Sequence, residues 1–473
     1  ANKANIFLEG PFKPVSEERS VVCEVSGTIP KNVRNSIFTR IGPNPMFSPC
    51  GGYHLFDGDG MIHWISFDDN DTHEATYHNR YIGTRKLRAE KRAGRALYPT
   101  IGDFLKPFAL LKIALSEALK VVGVLPNIPK SHLSVANTNI IQHASKQLAL
   151  CESGLPYSIE FTESGLRTLG VETYGGFLKN GFTAHPKIDL KTGKMHGFGS
   201  DGCRDVRMYS FNSDGTPDNS FNIQLRESVL MHDFATTAEH LLLLDMPLEF
   251  NPMLLTQGKI PVLFEHSHSS RVGVLNKNDD TGSSLQWYEV PGDSFLVSHV
   301  INSYTDSGLI TLVSCDMPSL SLHNVCGSQS ALHKTVIDTL TGDVTREPVL
   351  VNTHRSFDFP VINGARAGTD LKYTYVTEFT SGVPGDILKI DLFNGRIAGS
   401  VQMREGEYSG ECVFVASSAD CADEDDGHLL SFVTSDAAES RLCIWDARNL
   451  ELVGEVTIPC RIPLGFHANM IAR

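Results

Sequence analysis

Four of the 18 histidines sit where a titratable side chain is out of place. They occur in FTAHPKID (His185), VLMHDFATT (His232), FLVSHVINSY (His299) and PLGFHANMIA (His467), among apolar and small residues near strand ends. A single histidine of this kind is usually a satisfied interior residue. Four, spread across one β-rich region, suggest a shared task. Imidazole nitrogen suits iron, zinc and copper. Four neutral imidazoles without a carboxylate leave a divalent ion its whole charge and leave open positions for O2 or water. His185 carries a further sign. Pro186 follows it, so the strand ladder stops there and the backbone at His185 is held extended.

A histidine that binds metal through one nitrogen ordinarily donates from the other to a carboxylate or carbonyl. Three carboxylates stand in matching apolar surroundings: Glu152 in LALCESGLPY, Asp358 in RSFDFPVIN and Glu411 in YSGECVFV. A buried acid without a partner is costly, so each needs an explanation. Ion pairs with Arg or Lys are the plainer one. Asp233, next to His232, reads either as another such partner or as a turn residue. FDGDGMIHW (56–64) lacks the acidic continuation of a calcium-binding loop and reads as a tight turn. No P-loop, dinucleotide fingerprint or G-x-S-x-G elbow is present.

The elements that must position these residues are strands. From residue 131 onward, short strand-like runs alternate with turn signals, and helical periodicity is nearly absent. KIDLKTGKM, VIDTLTGDV and KIDLFNGRI repeat one turn, with Asp189, Asp338 and Asp391 ahead of Gly193, Gly342 and Gly395. Asp accepts hydrogen bonds from its own turn, and Gly takes the positive φ the turn demands. SFNSDGTP and IWDARNLELVGEV are looser relatives. Repeated hairpins suggest the blades of a β-propeller, whose radial strands would bring histidines of four blades to one axis. A pair of β-sandwiches fits the same pattern.

Residues 103–130, DFLKPFALLKIALSEALKVVGVLPNIPK, break it. Leu111, Leu115, Leu119 and Val122 lie at helical spacing, with Lys112, Ser116 and Lys120 on another face. The charges exclude a membrane-crossing helix. On its own the segment reads as a helix capping the β body with its apolar face inward; the alternative is a helix dipping into one leaflet of a membrane. The net charge of −14, from 41 basic and 55 acidic residues, argues against a nucleic-acid partner. Ten cysteines without a C-x-x-C pair exclude a zinc ribbon and a small disulfide scaffold, and fit a reducing, intracellular compartment. The opening ANKANIFLEGPFKP has no charged-then-apolar signal layout.

Together with further stretches, these residues resemble the carotenoid cleavage oxygenases, especially the plant-type carotenoid and epoxycarotenoid dioxygenases. The matching stretches keep the family's order: RIGPNP (40–45), YHLFDGDGMIH (53–63), VANTNIIQH (135–143), LALCESGLPY (148–157), FTAHPKID, MHDFA, DFPVIN (358–363), GECVFV (410–415), EDDGHLLSFV (424–433) and RIPLGFHA (461–468). They cover essentially the whole chain. At His299, where relatives often read F-H-x-x-N-A, this chain has SHVINSY, and Asn302 keeps the spacing. Asp358 replaces the Glu of some branches.

The resemblance implies an all-β, seven-bladed propeller spanning residues 1–473 as one domain. A helical dome covers the axis, with a membrane-facing insert at about 101–130. It implies Fe(II) held by His185, His232, His299 and His467, with Glu152, Asp358 and Glu411 orienting three of them, and no further catalytic side chain. It turns Phe108, Leu111, Leu115 and Leu119 toward a membrane, which reverses the reading of the helix alone. The implied reaction is cleavage of a conjugated double bond of a carotenoid or apocarotenoid by O2, giving two carbonyl products, in the plastid or the cytosol. A stilbene-cleaving relative and a non-catalytic propeller that binds carotenoid or lipid are the alternatives. FTAHPK and RIPLGFHA speak against the ester-cleaving isomerase branch.

Overall fold

Turn chemistry divides the chain into blades. The computed structural model describes residues 5–49, 52–68, 74–105, 109–200, 202, 204–322, 324–351, 353–418, 421–435 and 439–472. Each Asp–Gly turn closes an antiparallel strand pair. Asp189 Oδ1 accepts from the Lys191 and Thr192 amides, Asp338 Oδ1 from Leu340 and Thr341, and Asp391 Oδ1 from Phe393 and Asn394. Gly193, Gly342 and Gly395 take φ of 68°, 83° and 59°. The looser IWDARNLELVGEV turn works alike, with Asp446 as acceptor and Leu450, at φ 65°, where the others have glycine.

Among the described residues five sheets have four strands each, meandering from a first strand outward. Their first strands are Asn139–His143, Lys187–Ile188, Ala235–Thr236, Leu296–Asp306 and Ser356–Val361. Successive first strands lie side by side: Ala235–Thr236 against Leu296–Asp306, and that strand against Ser356–Val361. The strands from the two ends of the chain form one ten-stranded sheet, where seven separate blades are expected from the resemblance. It forms because Arg19–Gly27 pairs with Leu452–Ile458, and Ser36–Pro43 pairs with Ala468–Ala472. The last strand, Ala468–Ala472, lies on its edge beside Asn139–His143, so the ring of sheets closes where the chain's ends meet. The architecture is all-β and propeller-like, with few helices.

Apolar side chains pack between neighbouring sheets. One such seam gathers Ile41, Ile62, Trp64, Ile82, Ile140, Tyr157 and Ile159 between the ten-stranded sheet and the Asn139–His143 blade. Buried histidines away from the axis add an acid limit. His196, 6% exposed in strand Met195–Ser200, is pushed down to about 4 by burial first and then by the Lys277 charge. A group whose folded pKa is depressed from about 6.5 binds its proton more weakly in the native state. Its contribution is complete above pH 6.5 and is lost as pH falls through 4, at about 1.4 kcal/mol per pKa unit. The His196→Gln variant is therefore expected to lose less melting temperature than the parent between pH 6.5 and 4; equal losses would show that this histidine does not set the acid limit.

Helix Ala109–Val121 corrects the reading made from its sequence alone. Its polar face turns inward: Ser116 is buried, Lys112 pairs with Asp103 at 2.6 Å, and Lys120 stands 5.8 Å over the Tyr98 ring. Leu111 and Leu115 point outward, 64% and 55% exposed, and Val121, Val122 and Val124 continue the apolar surface. Leu119 is half-buried. Phe108 lies outside the described residues. Among the described residues no helix is long and apolar enough to cross a membrane.

Candidate metal centre

The four histidines come from four different sheets, each from the strand at one edge. His185 precedes Lys187–Ile188, His232 precedes Ala235–Thr236, His299 lies within Leu296–Asp306, and His467 precedes Ala468–Ala472. Each mount is built locally. Thr183 Oγ1 accepts the His185 amide at 3.0 Å, and the Thr183 amide donates to the Phe198 carbonyl at 2.8 Å. The segment lies close against its neighbouring strand: a Cβ at Gly199 would stand 2.1 Å from the Gly181 carbonyl oxygen. His299 sits between two register shifts of its strand, at Val297/His299 and Val300/Asn302, and such bulges re-aim a side chain. His467 is clamped by its carbonyl, which accepts from the Ile41 amide at 3.1 Å, and by its own amide, which donates to the Thr138 carbonyl at 3.3 Å.

The imidazoles converge. His185 Nε2 lies 3.1 Å from His232 Nε2, which lies 3.4 Å from His299 Nε2. The His467 ring centroid is 4.6 Å from that of His185 and 5.0 Å from that of His299, with the ring planes at 89° and 80°. Behind the rings stand the three acids read from the sequence. His232 Nδ1 contacts Glu152 Oε1 at 2.5 Å, His299 Nδ1 contacts Asp358 Oδ1 at 2.7 Å, and His467 Nδ1 contacts Glu411 Oε1 at 2.9 Å. Glu411 Oε2 also accepts the Ala468 amide at 2.7 Å. All seven predicted residues come together, and the plainer reading of the acids as Arg or Lys pairs does not hold.

A carboxylate behind Nδ1 keeps the proton there and leaves Nε2 as a lone pair. Several lone pairs aimed at one point repel unless a cation lies between them. Ligand atoms about 2.1 Å from one ion at 90–109° are roughly 3.0–3.4 Å apart, which is the spacing of these nitrogens. Burial, then the neighbouring histidine and Lys187 charges, hold His185 well below the usual histidine range, so it is neutral. Burial also pulls His232 down, but Glu152 and then Asp233 and Asp358 outweigh it and raise that ring. Burial raises Glu152 and Asp358, and their histidine partners outweigh it, so both stay ionised. His185 and His467 are buried, whereas the side chains of His232 and Glu152 are about a third exposed, 33% and 31%, which marks the open side of the cluster.

One residue escaped the sequence reading, and another has a role the sequence left open. Phe359 adopts φ 52°, held there by Asp358 Oδ1 accepting its amide at 2.9 Å. Its ring lies 5.9 Å from His299 and 5.6 Å from His467, so it walls one side of the cluster. Only its place after Asp358 hinted at this. Asp233 is neither a fourth imidazole partner nor a plain turn residue: it pairs with Lys187 at 2.7 Å.

The family model described as retinal pigment epithelial membrane protein matches residues 12–472. Carotenoid 9,10(9',10')-cleavage dioxygenase 1 of Arabidopsis thaliana is 32% identical over 492 residues, covering 98% of this chain and 89% of that protein. The probable carotenoid cleavage dioxygenase 4, chloroplastic, of the same plant is 33% identical, covering 97% of this chain and 80% of that one. Among solved structures, Pseudomonas brassicacearum lignostilbene dioxygenase superposes with a TM-score of 0.84 at 21% identity, covering 99% and 98% of the two chains. A variant of Synechocystis apocarotenoid oxygenase gives 0.82 at 22%, covering 98% of each. At these identities the structures share the fold.

Proposed function

The chain belongs to the retinal pigment epithelial membrane protein family, to which its carotenoid cleavage dioxygenase relatives also point, and on that premise we propose that it is an iron(II)-dependent dioxygenase acting on a carotenoid or apocarotenoid. The observation that carries this is the convergence of imidazole nitrogens at 3.1 and 3.4 Å with carboxylates behind three of the four rings. His185, His232, His299 and His467 would hold the metal. Iron(II), when bound, supplies the redox chemistry by which both atoms of O2 enter one conjugated C=C bond, which breaks to leave two C=O groups.

The protein's own part is mounting and exclusion. Glu152, Asp358 and Glu411 fix the tautomer and direction of three rings. His185 is fixed through Thr183 and the extended backbone before Pro186. The four imidazoles carry no negative charge of their own, so the protein offsets the charge of the ion only through the carboxylates behind three of the rings. Phe359 gives the site an apolar wall against which a polyene can lie. This bond cleavage needs no side chain to donate or accept a substrate proton.

The whole chain works as one propeller domain with an insert at about 101–130. Reading the ten-stranded sheet as two blades joined along the pairing of Arg19–Gly27 with Leu452–Ile458 would bring the blade count to seven. The plastid is the compartment named for related plant enzymes. The outward leucines of helix Ala109–Val121 support contact of that face with a lipid surface, from which a greasy substrate would be drawn. The Leu111→Asp/Leu115→Asp variant is expected to lose at least tenfold in sedimentation with phosphatidylcholine vesicles and to keep its activity on detergent-dispersed substrate. Unchanged sedimentation would remove this face from membrane contact.

The test of function is a panel of carotenoids, apocarotenoids and hydroxystilbenes under O2, with products identified by mass. Paired aldehyde or ketone fragments from a polyene support the proposal. Cleavage confined to stilbenes would reassign the substrate class, and binding without cleavage by the iron-loaded protein would leave a carotenoid-binding propeller.

A further inference from the structure

Four imidazoles from four sheets must be held to within about 0.5 Å for a metal to bind well, yet all four are on segments at strand mouths or bulges. One carboxylate ties three of those segments together. Asp233 is 2% exposed and directly follows His232. Its Oδ1 pairs with Lys187 Nζ at 2.7 Å, two residues after His185, and accepts the Phe234 amide at 2.8 Å. Its Oδ2 accepts the Val300 amide at 2.8 Å, next to His299. That amide is on offer because the strand's register shifts on either side of His299 and Val300. Glu411 does the same work in miniature at the fourth histidine, holding both His467 Nδ1 and the Ala468 amide.

Resting on the metal-site reading above, we propose that Asp233 is a positioning residue. It sets the mutual spacing of His185, His232 and His299 through Lys187, its own backbone and the Val300 amide, and it touches neither metal nor substrate. A buried carboxylate with three well-placed donors is rigid, and a partly satisfied one is costly, so this junction has one low-energy arrangement. Asparagine has the same shape, but it carries no charge for Lys187 and presents an NH2 toward one of the donors. Lys187 contributes charge and reach. Its Nζ also lies 5.8 Å from the Phe234 ring centroid, and methionine there keeps a long unbranched side chain and loses the ion pair.

The experiment is titration of metal-free protein with Co(II), read by its visible d–d bands, and with Fe(II) under anaerobic conditions. Asp233→Asn and Lys187→Met are compared with the parent. Asp245→Asn serves as control, since Asp245 is buried in the same blade and its ion pair is with Arg271, at 2.6 Å, with no hydrogen bond or ion pair to the histidines. We expect Asp233→Asn to bind metal about 10–100-fold more weakly with altered d–d bands, Lys187→Met to shift the same way by less, and Asp245→Asn to match the parent. Parent-like affinity and bands in both Asp233→Asn and Lys187→Met would overturn the proposal. So would an equal loss in Asp245→Asn, which would mark the effect as general to buried acids. If Asp233→Asn fails to fold, Lys187→Met decides alone. A parent protein that takes up no metal would sink the metal-site reading itself.

Discussion

Replacement of His232 by alanine is expected to reduce iron binding by more than 100-fold and to remove cleavage activity. Loss of a partner behind a metal-bound histidine typically costs about 10–100-fold in affinity, and loss of the ligand itself costs more. His232 is the ring whose Nε2 lies within 3.4 Å of two others, so its removal opens the middle of the cluster. It also strands Glu152, whose charge is maintained by His232 in a site where burial alone would raise it. The check is iron content and turnover in His232→Ala beside Glu152→Gln, which keeps all four imidazoles and is expected to lose only the smaller factor. If His232→Ala kept stoichiometric iron, the four-histidine site would be wrong.

Trp64→Ala is expected to be the most damaging change away from the axis. Trp64 is 1% exposed in strand Gly60–Phe67, stacked on the His78 ring at 4.8 Å and edge-on to Phe161 at 5.3 Å. Phe161 belongs to the neighbouring blade, so the indole fills the seam where the ten-stranded sheet meets strands Asn139–His143 to Gly165–Val171. Removing a buried aromatic of this size leaves a cavity and costs about 3–5 kcal/mol. Denaturant unfolding followed by tryptophan-independent far-UV signal checks this. A loss below about 1 kcal/mol would mean that the seam collapses around the gap and is not a close-packed joint.

What was legible in the sequence was local. The Asp–x–x–x–Gly turns carry their own hydrogen-bond chemistry, so Asp189, Asp338 and Asp391 announced the hairpins they close. The histidines and their carboxylates were visible because charge-bearing groups in apolar runs are costly and demand partners. What lay beyond reach was pairing at a distance. Nothing local in VVCEVSG says that it lies beside LVGEVTI, more than four hundred residues on, so the ten-stranded sheet could not be read. The helix face was misread from its own pattern because amphipathicity gives two faces and not which one meets the body. Lys112, Ser116 and Lys120 face inward because Asp103 and Tyr98 are there to receive them. Asp233 was ambiguous for the same reason, since its partners Lys187 and Val300 arrive from other sheets.

A centre of four imidazoles should hold one iron ion per chain. The most direct measurement is metal per chain, by elemental analysis of the full-length protein after anaerobic reconstitution with Fe(II) and removal of excess metal. Close to one iron per chain is expected in the parent and almost none in His232→Ala. Zinc in place of iron, or no bound metal at all, would contradict it and leave the propeller as a binding protein.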